Sequence, residues 1–81
     1  MILPTKGVHP SKALLTVGGL IIDELDEPKT VSRVWTTIRT LYEDDPHGGI
    51  TFDWYVLAAT LVHSLGKLEQ ASDGFLARVQ P

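Results

Sequence analysis

The chain contains no cysteine. Neither a disulfide nor a thiolate zinc site can staple it, so a fold of 81 residues must rest on an apolar core. Positive charge is scarce: seven Lys and Arg stand against ten Asp and Glu, a net charge of −3. That balance argues against broad electrostatic attraction to nucleic acid or to an anionic membrane. Long apolar runs are missing as well. No uncharged stretch reaches the ~20 residues that a membrane span needs. A signal peptide is not expected, because the first cation, Lys6, is followed closely by Gly7, His9 and Pro10. The expectation is one small, soluble, cytoplasmic domain. With 43% apolar residues it can attempt a core, but domains of this size are marginal alone, and a constant partner would stabilise it.

The most telling absence is local. Thr51 to Leu65, TFDWYVLAATLVHSL, has the caps of a helix yet carries no Lys or Arg. A helix that reads DNA needs cations for phosphates and base edges. This one offers Trp54, Tyr55, Val56, Leu57, Leu61 and Val62.

What is present orders the chain. Residues 1–10, MILPTKGVHP, form an arm, since Pro4, Gly7 and Pro10 exclude a helix, and Met1 to Leu3 suit a short third strand. Residues 11–81 form the domain. Helix one is expected over 11–25, with Leu14, Leu15, Gly18, Ile21, Ile22 and Leu25 on one face. Gly18 and Gly19 inside it suggest close packing of another element. A phosphate loop would need a preceding strand and a following Lys-Ser/Thr, which are missing. Thr30 caps helix two, over 30–42, whose apolar positions are Val31, Val34, Trp35, Ile38, Leu41 and Tyr42. Glu43 to Gly49 is a loop, and its Asp44, Asp45 and His47 make a poor metal site without a second cluster. Thr51 caps helix three, over 51–65, and Gly66 stops it. KLEQA and FLARV around Ser72-Asp73-Gly74 form a hairpin. Arm, three helices and hairpin together are the winged-helix layout, mostly α with a small β wing.

On helix three, Trp54, Leu57, Leu61 and Leu65 form one stripe and are expected in the core. Tyr55, Val56, Ala59, Val62 and His63 then face outward. A helix apolar nearly all round, in so small a domain, awaits a partner. Candidate partner contacts are therefore Tyr55, Val56, Ala59 and Val62, with Trp35 on helix two and Ile2 and Leu3 in the arm. Lys67 and Arg78 on the wing are candidate phosphate contacts. No catalytic group assembles. His9, His47 and His63 fall on separate elements, and Asp53 lies about 15 Å along the helix from His63. The chain is expected to be no enzyme and to need no cofactor, metal or small-molecule substrate.

Several segments carry a family resemblance: ILPTK at Ile2 to Lys6, Leu14-Leu15 and Gly18-Gly19, TVSRVW at Thr30 to Trp35, and ITFDW at Ile50 to Trp54 leading to LGKLE. In these the chain resembles the middle components of bacterial ABC-three-component systems, the group numbered six. The resemblance implies an anti-phage or anti-plasmid system, of a kind that includes the Lamassu type. It implies an adaptor between an SMC- or Rad50-like ATPase and a nuclease-like effector, with any DNA contact made through the complex. The resemblance brings no functional residues with it. Two competing readings are a winged-helix DNA-binding transcriptional regulator and an antitoxin-like regulator of a neighbouring gene product.

Overall fold

The computed structural model describes residues 10–45, 49–71 and 74–79. Six elements follow one another: α1 (Pro10–Glu24), β1 (Lys29–Thr30), α2 (Val31–Leu41), α3 (Phe52–Ser64), β2 (Leu68–Gln70) and β3 (Phe75–Arg78). The architecture is three helices and a small antiparallel sheet of strand order β1-β3-β2.

The helix ends lie where local chemistry puts them. Thr30 has extended backbone, and its hydroxyl accepts from the Arg33 N–H at 3.2 Å, opening α2. Thr51 does the same for α3 through the Trp54 N–H at 3.3 Å. Each side chain satisfies one of the N–H groups that a helix start leaves without a partner. At the other end of α3, Gly66 takes φ +78°, its N–H reaches the His63 carbonyl, and the Lys67 N–H reaches that of Val62. Those two bonds form a Schellman motif, which closes the last turn. The end of α1 is held differently. The Lys29 ammonium donates to the Glu24 carbonyl at 2.9 Å and pairs with the Glu24 and Asp26 carboxylates at 3.1 and 3.2 Å. A cation there also complements the negative end of the helix dipole. Its hydrogen bond and charge hold the Asp26 carboxyl below the usual range, while bonds to Glu24 and Asp26 raise the Lys29 ammonium.

The hairpin forms as expected, with Leu68 opposite Arg78, Gln70 opposite Leu76, and Gly74 at φ +80° in the turn. The third strand comes from another place. Lys29 and Thr30 pair with Leu76 and Phe75, and the Val31 N–H donates to the Gly74 carbonyl. Two residues following Pro28 show no alternation, so this strand exists only through its pairing with β3. The expected strand at Met1 to Leu3, with Ile2 and Leu3, lies outside the described residues.

The core lies chiefly between α1 and α3, with Val34 and Ile38 of α2 closing one side. Val17 and Ile21 of α1 meet Tyr55, Ala58 and Val62 of α3, and Leu25, Ile50, Leu68 and Leu76 complete it. Gly18 sits at the crossing. A Cβ added there would collide with Cγ1 of Val62 and lie 3.6 Å from the Ala58 carbonyl oxygen, so the glycine is what lets α3 approach. Two expected stripes are corrected here. On α1, Gly18, Ile21 and Leu25 of the expected face are buried, but Leu15 is exposed, and Ala13 and Val17 are buried as well. On α2, Val31 and Leu41 are exposed while Val34 and Ile38 are buried. On α2 the expected stripe is covered in its middle and left open at its ends.

Candidate interaction surface

Helix α3 is turned by roughly one residue, about 100°, from the orientation its periodicity suggested. Tyr55 and Val62, expected outward, are 1% and 5% exposed and belong to the core. Leu57 and Leu65, expected in the core, are 51% and 55% exposed. Trp54 and Leu61 are half-buried, as is Ala59, and Val56 alone of the expected outward apolar set is exposed. The physical reason is the notch at Gly18. It admits the line of Ala58 and Val62 to close contact with α1, and a helix apolar on every side turns whichever face fits. Trp54 packs against the core with its indole N–H buried and lacking an acceptor among the described residues.

Tyr55 anchors α3 to α2. Its hydroxyl donates to the Val31 carbonyl at 2.9 Å. Its ring lies 5.2 Å from that of Trp35 and 5.6 Å from that of Phe52, and Trp35 and Phe52 meet edge to face at 5.3 Å. Such geometry adds about 0.5–1.5 kcal/mol per pair beyond area burial. Trp35 is half-buried and Phe52 is 48% exposed, so the cluster breaks the surface on one side. Phe52 and Val56 are one turn apart on α3, and Val31 and Trp35 one turn apart on α2. All four keep apolar area in water.

Burial pushes the Tyr55 phenol up to about 12 and raises that of Tyr42 as well. The folded state keeps its phenolic proton where the unfolded chain has already lost it. Stability is thus full below pH 10 and is lost as pH rises from 10 towards about 12. Melting temperature followed from pH 8 to 12 should fall across that window. Tyr55→Phe should flatten the fall while costing about 1 kcal/mol at neutral pH for the lost hydrogen bond. An unchanged slope in the variant would show that Tyr55 is solvated.

Beside this cluster a groove of about 250 Å³ opens between α3 and the sheet. Tyr55, Val56, Ala59, Thr60 and His63 form its helical wall. Val31, Leu68, Gln70 and Leu76 form the other. Among the described residues its walls carry no Asp, Glu, Lys or Arg, so the lining is apolar with a few hydrogen-bonding groups at hand. Sequence reasoning singled out Tyr55, Val56 and Ala59 but missed Phe52, Val31, Thr60 and Gln70. The i,i+4 relation of Phe52 to Val56 carried a signal. The approach of β2 and β3 to α3 carried none.

Lys67 is exposed just beyond α3, and Arg78 is half-buried at the end of β3. Among the described residues neither makes an ion pair; the two salt bridges there both belong to Lys29. No three His, Asp or Glu among the described residues come together as a metal set. Among them, too, no helix is long and apolar enough to cross a membrane.

Comparison with known proteins gives one family. Residues 3–79 match the family model described as ABC-three component (ABC-3C) system Middle Component 6. No curated protein matches, and no solved structure matches.

Proposed function

The chain belongs to the Middle Component 6 family of ABC-three-component systems, components of a defence system, and from that membership we propose that it is a non-enzymatic adaptor. It holds an SMC- or Rad50-like ATPase to an effector in a Lamassu-like cytoplasmic assembly. Its scaffold is a winged helix, with α3 in the place of the recognition helix and β2-β3 as the wing. The observation that carries this reading is the surface of α3. On the helix that would enter DNA there is neither Lys nor Arg, and Phe52, Val56 and Leu57 are in water instead. Apolar area of that kind is stabilised by contact with protein, at about 25 cal/mol per Å² removed from water before association costs.

The competing reading, a DNA-binding regulator, rests on Lys67 and Arg78 among the described residues. Two phosphate contacts give a shallow salt dependence and no base readout. Co-expression of a tagged copy with the other two components of its system, followed by affinity capture, separates the readings. Both components should remain on the tagged chain, and the chain alone should bind duplex DNA weakly and without sequence preference. Loss of both components, together with nanomolar sequence-specific DNA binding at physiological salt, would establish the regulator instead.

A further inference from the structure

Resting on the adaptor reading, we propose that the edge of β2 left unpaired among the described residues and the α3 groove form one docking site. Its occupant is an extended segment of a partner component, with a large apolar anchor flanked by an acidic side chain.

The hydrogen-bond register supplies the first half of the argument. The Ala71 N–H donates to the Phe75 carbonyl, and the Val79 N–H donates to that of Lys67. Both pairs are directly opposite in the hairpin, so bonded pairs alternate from there, and Leu68–Arg78 and Gln70–Leu76 are the non-bonded pairs. The backbone groups of Leu68 and Gln70 therefore point away from β3. Strand order β1-β3-β2 makes β2 an edge, and among the described residues nothing pairs there. A segment laid along β2 gains main-chain hydrogen bonds at both residues. Because Leu68 and Gln70 also line the groove, alternate side chains of the added strand fall on the groove's face of the sheet.

Charge supplies the second half. Among the described residues the groove wall holds no Asp, Glu, Lys or Arg, and its volume of about 250 Å³ suits a large apolar side chain. At one end, Arg78 stands opposite Leu68 on the same face of the hairpin. It has no ion-pair partner among the described residues. Glu69, the acid of β2, alternates onto the other face. The arrangement selects an acid beside the apolar anchor and disfavours a basic one.

The test uses the full chain against immobilised overlapping 15-residue peptides (about the length of two strands and a turn) tiling the other two components. One peptide region with an apolar residue next to Asp or Glu should bind. Val56→Asp and Arg78→Glu should each weaken it by about tenfold with native melting curves, the effect expected of one lost anchor or charge-assisted contact. Changing the peptide's acid to Lys should restore binding to Arg78→Glu, and N-methylation of its backbone should abolish binding. The inference is overturned if the components stay on the tagged chain while no peptide binds and both variants retain them. It is equally overturned if the bound peptide needs no acid, or if Arg78→Glu impairs only DNA binding. If the components never stay on the tagged chain, the adaptor reading itself has failed.

Discussion

Val62→Glu is expected to leave the chain largely unfolded at neutral pH. Val62 is 5% exposed and stands against Gly18, where α1 and α3 are in close contact. A carboxylate there meets apolar side chains and the Ala58 backbone, and both salt bridges of the described residues lie elsewhere, at Lys29. An uncompensated buried charge costs several kcal/mol. The whole stability of a domain this size is about 4–12 kcal/mol at the usual 0.05–0.15 per residue. The glutamate side chain is also longer than that of valine, at a contact with no room to spare. Far-UV circular dichroism and thermal melting at pH 7 decide the matter. A variant that melts within a few degrees of wild type would put Val62 at the surface, as the helix periodicity alone suggests. Partial recovery at low pH, where the carboxyl is neutral, would identify charge burial as the cause.

Gly18→Ala is expected to destabilise although alanine is the better helix former. Helix propensity favours the change by about 1 kcal/mol. Against it stands the collision of the new Cβ with Val62 Cγ1, and overpacking of this kind typically costs about 1–3 kcal/mol. The net sign is a loss because Val62 is itself enclosed and cannot swing into solvent. Gly19 is the internal control. A Cβ there meets nothing within 4 Å, so Gly19→Ala should gain up to about 1 kcal/mol. Chemical denaturation of the two variants side by side should show shifts of opposite sign. Two shifts of the same sign would mean that α1 and α3 do not meet at Gly18.

The difference between these neighbouring glycines marks the boundary of what the chain reveals before it folds. Thr30, Thr51 and Gly66 set helix ends, and the turn at Gly74 sets the hairpin, through bonds that close within six residues. Such features depend on residue type and spacing, so they were legible in the sequence. So was the shortage of cations on α3, which bears on function directly. Close packing at the glycine pair was legible too, with Gly18 on the apolar face of the helix; that Gly19 meets nothing came from the fold.

Tertiary structure decided the rest. On α3, the Trp54-Leu57-Leu61-Leu65 stripe and the Tyr55-Ala58-Val62 line are both apolar, so hydrophobicity scarcely distinguishes them. Shape does: the missing Cβ at Gly18 accepts Val62, and the Val31 carbonyl accepts the Tyr55 hydroxyl. The two-residue strand at Lys29–Thr30 depends on β3, which lies more than 40 residues further on. The groove, too, joins α3 to strands that approach it only after folding. The sequence by itself determined where α2 and α3 begin and where α3 stops, because those bonds are local. Which face is buried, and so which apolar side chains remain for a partner, followed only from the fit between elements distant in the chain.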